Sequence, residues 1–381
     1  MKICLYPYTE GAGTGMYIIE LAHALKDLGH DVLVIGKAKK SAEEHHLTFI
    51  ETPKAIKSQY SKLYQVPPLS YFDPMWSARS LKTIIAEHKP DIIHLSTHVD
   101  PRPLGIPSVV TAWDYPKSWR DSAKLARRYS PWYLLPIRIL RELEMSWKDK
   151  KMFAGVNLII GINQEVTRQL QQQGLPALYL PPGIKVQKIL PKKNSTLTLC
   201  FIARNHIWIK RKGLAYFLNA LLEIQKKEPS LGYQVHIIGR IPWYNSLKLT
   251  KYKSLLPSLI FHGLLPRDET LKLIAQSHIQ VIPSVYEEFG YAALEAMSLG
   301  TAIIVSKENN SFEEMIAEDA GLSVDIYNAQ NFAHALLPLL KNKKMQLQYS
   351  HNAQTKVMKN YNREVIAKKL IEQYKRVSKT F

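Results

Sequence analysis

The sequence predicts an α/β protein built from two doubly wound domains in series. Its 381 residues are enough for two or three domains of ordinary size. Short apolar runs alternate with helical patterns in the first half of the chain, and the same alternation starts again in the second half. A proline- and lysine-rich stretch without periodicity, residues 180–196, separates the halves. Hydrophobic residues make up 46% of the chain, which excludes a disordered or fibrous protein.

In the first half, the apolar runs are predicted to form the parallel strands of one sheet. Leu21, Leu25 and Leu28 recur at helical spacing after the first run, and Gly29 lies where a helix C-terminal cap is expected. We expect the last of the runs to be the final strand of this sheet. The predicted strands are KICLYPY (2–8), DVLVIG (31–36), DIIHLS (91–96), PSVVTAW (107–113) and NLIIGI (157–162).

The second half repeats this organisation, and a cleft is expected between the two domains. A strand over residues 196–204 is followed by a helix over 212–227, and further apolar runs each lie beside a helical segment. These later predicted strands are YQVHIIG, SLIFHG, HIQVIPS and TAIIVS. The end of the chain, from about residue 345 to residue 379, is predicted to form one or two basic helices.

The chain is strongly basic, with 51 Lys and Arg residues against 32 Asp and Glu residues, a formal net charge of +19. Such a surface favours anionic partners, namely phosphorylated ligands, acidic lipid or nucleic acid. A purely solubilising role of the charge is the alternative.

The two cysteines, Cys4 and Cys200, lie in apolar runs of different halves. They predict a reducing compartment without a disulfide framework. No apolar run reaches the ~18 residues that span a bilayer, and the first run is too short for a signal peptide. We therefore expect a cytoplasmic protein, or one bound at the inner face of a membrane.

Residues 281–306, VIPSVYEEFGYAALEAMSLGTAIIVS, are the most informative segment. A buried strand leads into the loop EEFG (287–290), and a helix carrying Glu295 follows. In a parallel sheet this loop lies at the carboxyl edge, where ligands bind, and a helix start suits a phosphate. Two carboxylates in this arrangement can hold hydroxyls at the two ends of a nucleotide sugar. Taken alone, the same spacing is also typical of exposed surface acids.

The string from Pro283 to Gly300 resembles a known family. It matches PS-x-x-E-x-F-G-x-x-x-x-E-A-M-x-x-G, the pattern of the family 4 retaining glycosyltransferases (glycosyl transferases group 1). The resemblance implies the GT-B architecture, an α/β fold with two Rossmann-like domains facing a central cleft. It implies an acceptor-binding domain over residues 1–183, a donor-binding domain over 184–360, and a helix over 361–381 that crosses back to the first domain.

The same resemblance implies a role for each residue of the motif. Glu287 would contact the donor sugar, and Glu295 the ribose of the nucleotide. The backbone amides around Phe289 and Gly290 would hold the sugar and the phosphate, with Glu288 as a further donor-binding residue.

A second group of candidates lies in FIARNHIWIKRKGL, residues 201–214. An arginine at a strand end and a lysine before a helix can both reach a diphosphate in the cleft. The family has an arginine and a Lys-Gly pair here, matched by Arg204, Lys212 and Gly213, which neutralise the leaving nucleoside diphosphate. Arg211 is a weaker candidate. Taken alone, KRKG is more typical of an exposed basic turn.

The resemblance and the absence of a convincing DxD loop both favour a transferase that needs no metal ion. The cationic pair would take the place of the metal, and no cofactor is expected besides the nucleotide diphosphate sugar, which is the donor substrate.

A glycine-rich turn, Gly11, Gly13 and Gly15, follows the first strand and opens a helix. It departs from the dinucleotide fingerprint because its last glycine is one residue early and no acid ends the second strand. The basic run KAKK (37–40) at that position keeps an NADP-dependent oxidoreductase as an alternative. In the resembled family a glycine loop here lines the cleft near the donor phosphate and the acceptor, and Gly13 and Gly15 match it. A tight strand-to-helix turn is the structural alternative.

The sequence departs from the family at the end of the strand PSVVTAW. A histidine that contacts the donor sugar is common there, whereas this chain has Trp113 followed by Asp114. Both residues are candidates for the acceptor side of the cleft. Because the usual histidine is absent, the family pattern does not fix the donor sugar or the acceptor of this chain. His94 and His98 are further candidates for lining the cleft, although a histidine at a strand end is more often packed in the core.

Residues 117–153 combine ten Lys or Arg residues with four Asp or Glu residues and several Trp and Tyr residues. This composition suits an anionic membrane interface, and some relatives in the resembled family act on lipid-linked acceptors. RNA binding by stacking and a helical hairpin with core aromatics are the alternatives.

We therefore expect transfer of a hexose-like sugar from a nucleotide diphosphate sugar to a hydroxyl acceptor, such as a lipid-linked or cell-envelope glycan, with retention. No nucleic-acid partner is expected. A catalytically silent protein that binds membrane or nucleic acid is the alternative from another class.

Overall fold

The computed structural model divides into two compact units, which are described one at a time. The first comprises Met1–Gly183 and Arg363–Phe381, and the second comprises Ile184–Asn362. The structure describes residues 1–8, 13–36, 47–51, 73–96, 99–113, 152–186, 193–203, 209–240, 249–307 and 310–381.

Within these residues, the first unit contains a seven-stranded parallel sheet with the order β3-β2-β1-β4-β5-β6-β7. The order reverses between β1 and β4, as it does in doubly wound folds. The elements are β1 (Lys2–Tyr8), α1 (Gly13–Asp27), β2 (Asp31–Gly36), β3 (Thr48–Glu51), α2 (Asp73–His88), β4 (Ile92–Leu95), β5 (Ser108–Ala112), β6 (Leu158–Gly161), α3 (Gln164–Gln171) and β7 (Ala177–Tyr179), with a 3₁₀ turn at Arg102–Leu104.

The second unit has a six-stranded parallel sheet with the order β10-β9-β8-β11-β12-β13, which reverses between β8 and β11. Its elements are β8 (Thr198–Ile202), α4 (Ile209–Lys212), α5 (Leu214–Lys227), β9 (Gln234–Ile238), β10 (Leu259–Gly263), α6 (Arg267–Gln276), β11 (Ile279–Ile282), α7 (Tyr291–Ser298), β12 (Ala302–Ser306), α8 (Asn310–Ile316), β13 (Leu322–Val324), α9 (Ala329–Lys341) and α10 (Lys343–Lys356). A 3₁₀ segment, Leu249–Ser258, precedes β10, and a π-helical turn, Val357–Tyr361, follows α10.

The last helix, α11 (Arg363–Thr380), belongs to the first unit. It buries one apolar face, which includes Ile366, Leu370 and Tyr374, and exposes its lysines. At its start, Arg363 forms ion pairs with Glu20 and Asp27 of α1. Among the described helices, none is both long enough and apolar enough to cross a membrane.

The predicted fold class, two α/β domains with parallel sheets, is confirmed. The prediction that residues 157–162 are the last strand of the first sheet is wrong, because β7 follows β6 and pairs with it. The edge strands β3, β7 and β13 were not predicted. They have three or four residues each and are only partly buried, so they lack the continuous apolar runs of the central strands.

The two cysteines are free and buried, as predicted from their places in apolar strands. Burial raises the pKa of each thiol to about 12, which keeps both in the unreactive protonated form.

A buried cluster of polar side chains joins α11 to the core of the first unit. His94 of β4 is fully buried and shares hydrogen bonds with Tyr374 of α11, with Thr111 of β5 (2.6 Å) and with Tyr17 of α1 (3.3 Å). Thr111 also donates to Tyr17 (3.0 Å). His94 therefore does not line a cleft, because its ring nitrogens are used inside the core; the alternative of a packed core histidine is the one that the structure shows.

This cluster predicts a loss of stability in acid. Burial lowers the pKa of His94 from 6.5 to about 3. At a pH between these two values, His94 is protonated in the unfolded chain but not in the folded chain. Stability therefore falls as the pH falls below 6.5. One pKa unit is worth about 1.4 kcal/mol, so His94 alone is expected to lower the free energy of unfolding by about 2.5 kcal/mol between about pH 7 and about pH 4.5.

The measurement is urea unfolding of the wild type and of His94→Gln at both pH values. The glutamine keeps hydrogen-bonding capacity but does not titrate, so the variant should lose this part of the pH dependence. An equal loss of stability in both proteins would contradict the assignment to His94.

Candidate active site

The motif residues come together at the carboxyl edge of the second sheet, where the strand order reverses. β11 ends at Ile282 and leads into the loop 283–290, and α7 begins directly after it. β8, the neighbouring strand at the reversal, ends at Ile202, and the chain continues toward α4 and its basic residues. In open parallel sheets this edge is where ligands bind.

The central contact is an ion pair between the Lys212 Nζ atom and the Glu287 Oε1 atom, in which the ammonium donates a hydrogen bond. The two residues are 75 positions apart in the sequence and meet because α4 and the loop 283–290 lie together at the sheet edge. Their side chains are 22% and 9% exposed, so the pair is largely shielded from water. The structure thus brings together two residues that the family motifs assign to one site.

The environment of Glu287 keeps its carboxyl group ionised. Burial raises its pKa, but the positive charges of Lys212 and Arg211 outweigh burial and leave the pKa below the ordinary value. A carboxylate in this state accepts hydrogen bonds and does not donate a proton near neutral pH. Glu287 is thus suited to holding hydroxyl groups.

Close packing of backbone fixes α4 against the loop. The Val285 N–H donates to the Arg211 carbonyl (2.8 Å). Gly213, with φ +79°, passes so near Pro283 that a Cβ atom there would lie 1.9 Å from the Pro283 carbonyl oxygen. Only glycine fits at this position, which explains the glycine that follows Lys212 in the motif.

Two serines hold the same loop from outside the motif. Ser306, at the end of β12, donates to the Ser284 carbonyl, and the Ser311 hydroxyl donates to the Glu288 carbonyl (2.7 Å). Neither residue was predicted from the sequence. A serine directly after an apolar strand run is the only signal that the sequence offers for Ser306.

The start of α7 combines a left-handed glycine with a buried aromatic ring. Gly290 has φ +96°, and a Cβ atom there would lie 2.4 Å from the Phe312 ring. Phe289 is buried and packs edge-on to Tyr291, with ring centroids 5.5 Å apart. Its side chain therefore anchors the loop, so the expected contribution of Phe289 and Gly290 to ligand binding rests on their backbone amides. A helix start of this kind carries partial positive charge.

Glu295 lies on α7 and forms an ion pair with Arg267 at the start of α6, with 2.6 Å between the Nη1 and Oε1 atoms. Arg267 was not predicted from the sequence. Glu288, by contrast, is exposed at the loop surface.

In the first unit, the candidates lie around the reversal between β1 and β4. Gly13 and Gly15 are in the first turn of α1, directly after β1 in the described chain. Trp113 follows β5, donates from its indole nitrogen to the Ser96 hydroxyl (2.8 Å) and packs edge-on to Tyr17. The candidates that lie outside the described residues are Arg204, His98, Asp114, Gly11, the KAKK run and residues 117–151.

Comparison with known proteins decides the family. The model for glycosyl transferases group 1 matches residues 185–356, and the model for glycosyltransferase family 4 matches residues 11–188. The two matches adjoin and together span residues 11–356. The chain belongs to the family 4 glycosyltransferases of the GT-B fold. This membership decides against the oxidoreductase alternative.

Relatives of this glycosyltransferase include a phosphatidyl-myo-inositol mannosyltransferase of Mycolicibacterium smegmatis, 23% identical over 99% of this chain and 93% of the relative. An uncharacterised glycosyltransferase of Methanocaldococcus jannaschii is 29% identical, and that match spans 43% of this chain and 42% of the relative.

Solved structures show the same fold at low identity. Sucrose-phosphate synthase from Thermosynechococcus elongatus has a TM-score of 0.76 at 16% identity and covers 100% of this chain and 99% of its own. Anabaena HepE, solved in complex with UDP-glucose, has a TM-score of 0.69 at 15% identity and covers 99% of this chain and 100% of its own.

Proposed function

We propose that this glycosyltransferase moves a hexose-like sugar from a nucleotide diphosphate sugar to a hydroxyl acceptor, with retention at the anomeric carbon. The observation that carries the proposal is the shielded contact of Lys212 with the ionised Glu287, beside the start of α7. The contact brings a cation, an ionised acid and a helix start together at one sheet edge. The structure of HepE, a neighbour of the same fold that was solved with UDP-glucose, supports a donor of this class.

Lys212 and the start of α7 would hold the diphosphate of the donor. An ammonium group and the N–H groups of a first helical turn both bind phosphate oxygens. Arg204 is assigned to the same role by the family pattern. Together they would stabilise the charge that develops on the leaving phosphate, which is the contribution expected of preorganised cationic groups.

Glu287 and Glu295 would orient the donor on either side of the diphosphate. Glu287, ionised and shielded, would accept hydrogen bonds from hydroxyls of the transferred sugar. Glu295, further along α7, would accept hydrogen bonds from the ribose hydroxyls. The two acids would fix the anomeric carbon for attack.

In the proposed reaction, the bond between the anomeric carbon and the leaving phosphate oxygen breaks, and the electron pair leaves with the nucleoside diphosphate. The acceptor hydroxyl oxygen forms the new bond on the same face of the sugar. Its proton passes to the departing phosphate. Because Lys212 and Arg204 supply the positive charge, we propose that no metal ion is required.

For the acceptor we propose a lipid-linked or cell-envelope glycan, bound on the side of the first unit that carries Trp113. The names of two relatives support this class, the mannosyltransferase above and a diphospho-undecaprenol N-acetylgalactosaminyltransferase of Campylobacter jejuni. We further propose that the protein acts in the cytoplasm and binds the inner face of the membrane peripherally.

The first test is a binding screen with UDP, GDP and ADP by calorimetry, with and without a chelator. One diphosphate should bind, and the chelator should leave its affinity unchanged. Loss of binding in the chelator would contradict the metal-free proposal, and no binding of any of the three would contradict the proposed donor class. With the matching donor sugar, proton NMR of the product should show the anomeric configuration of the donor; inversion would contradict retention.

A further inference from the structure

The ion pair between Arg267 and Glu295 joins two helices of the second unit. Arg267 is the first residue of α6, directly after Pro266, and Glu295 lies in the middle of α7. The guanidinium donates from Nη1 to Oε1 of the carboxylate over 2.6 Å. The two side chains differ in burial, because Arg267 is 39% exposed and Glu295 is 12% exposed. A partly exposed cation thus holds a largely shielded acid.

Helix stability does not account for this arginine. The first turn of a helix carries partial positive charge, so a cation there is unfavourable and acids are preferred. Asp268 and Glu269 follow that preference, whereas Arg267 does not. A partly exposed ion pair also contributes little to folding stability. The placement of Arg267 is therefore better explained by what it does to Glu295.

A short charge-assisted contact restricts the rotamers of a glutamate side chain. Ordering such a side chain on binding weakens the affinity for a ligand, and a partner that orders it beforehand removes this cost. The contact engages Oε1, and a carboxylate has two oxygens with about four acceptor positions. Arg267 thus orders the Glu295 side chain while occupying only part of the hydrogen-bonding capacity of the carboxylate.

We propose that Arg267 is a positioning residue for ribose recognition, which holds Glu295 in the rotamer that accepts the ribose hydroxyls. The proposal rests on the proposed role of Glu295 in donor binding. It assigns to Arg267 a part of the selectivity for a ribonucleotide donor. No direct contact between Arg267 and the donor is required.

The test compares the affinity for two probes: the tightest binder among UDP, GDP and ADP, and its 2′,3′-dideoxy analogue. Hydrogen bonds to a charged group are worth about tenfold or more in affinity, so the wild type should prefer the ribonucleotide by at least that factor. Glu295→Gln should lose most of this preference. Arg267→Gln should lower it about three- to tenfold through weaker ribonucleotide binding, with the affinity for the dideoxy analogue unchanged.

Two variants separate positioning from a structural effect. Arg267→Lys keeps a cation and should recover part of the preference. Arg168→Gln removes an exposed helical arginine that pairs with Glu165 in the first unit, and it should leave both affinities unchanged. In Arg267→Gln combined with Glu295→Gln, the arginine change should have no further effect on the preference, because the two act as one unit.

The outcomes distinguish this inference from the proposed function. If Glu295→Gln loses the preference and Arg267→Gln keeps it in full, the inference is wrong and the role of Glu295 stands. An equal fall in the affinity for both probes in Arg267→Gln would also overturn it, because the effect would not involve the ribose. If Glu295→Gln itself keeps the preference, the proposed role of Glu295 is wrong, and the inference is wrong with it.

Discussion

Replacing Lys212 with alanine is expected to lower kcat/KM for sugar transfer about 10²–10³-fold, the usual effect of removing one group that stabilises developing charge. The ammonium is the cation that the structure places against Glu287, and the leaving diphosphate would lose it. The kcat/KM of Lys212→Arg should lie between those of the wild type and Lys212→Ala, because a guanidinium keeps the charge but has a different shape. Initial rates with the donor identified by the binding screen are the measurement.

The variant also leaves Glu287 without its main counter-charge, so a loss of stability must be separated from a loss of catalysis. Removing one partner of a shielded pair destabilises the fold, because the other charge stays buried. Adding Glu287→Gln to Lys212→Ala should restore the unfolding midpoint but not the transfer rate. Lys226→Ala, which removes a mostly exposed lysine paired with Glu223, is the matched control and should keep the wild-type rate. Transfer by Lys212→Ala within about twofold of wild type would contradict the role of Lys212 in electrostatic stabilisation.

Gly213→Ala is expected to have the largest effect on stability. The new Cβ atom would lie 1.9 Å from the Pro283 carbonyl oxygen and 2.8 Å from its carbon, so α4 and the end of β11 must move apart. The same shift separates Lys212 from Glu287. We expect the clash to lower the free energy of unfolding by about 3 kcal/mol, in addition to the cost of placing alanine in a left-handed backbone conformation.

Gly263→Ala provides the control for that strain. Gly263 has φ +67°, in the same left-handed region, but nothing lies within 4 Å of its Cβ position. In Gly263→Ala, the free energy of unfolding should therefore fall only by the conformational cost of a left-handed alanine, about 1–2 kcal/mol. Thermal unfolding should therefore place the midpoint of Gly213→Ala about 6–12 °C below that of Gly263→Ala. Equal midpoints would show that the close approach of Gly213 to Pro283 is relaxed in solution.

The central strands could be predicted because they are buried on both faces and appear as unbroken apolar runs. The edge strands β3 and β7 have four and three residues that are only partly buried or exposed, so they carry no such run. For that reason the first sheet was predicted two strands short. The contact between Lys212 and Glu287 could be anticipated, because each residue belongs to a motif placed at the end of a neighbouring strand.

Other parts of the site depend on contacts that no local pattern encodes. Arg267 lies in the string PRDET, which is typical of an exposed helix start, and its partner is 28 residues away on another helix. The place of His94 near a strand end favoured a packed histidine over one that lines a cleft, but it gave no sign of the partner Tyr374, which lies 280 residues later on a helix. In both cases the partner is set by helix packing, which the sequence alone does not reveal.

The most direct test of the proposed donor site is a crystal structure of the protein with its nucleoside diphosphate bound. We predict a diphosphate oxygen within about 3.2 Å of the Lys212 Nζ atom, near the start of α7, with the ribose hydroxyls donating to Glu295. A diphosphate bound at another edge of the second unit, with Lys212 and Glu295 both remote from the nucleotide, would contradict it.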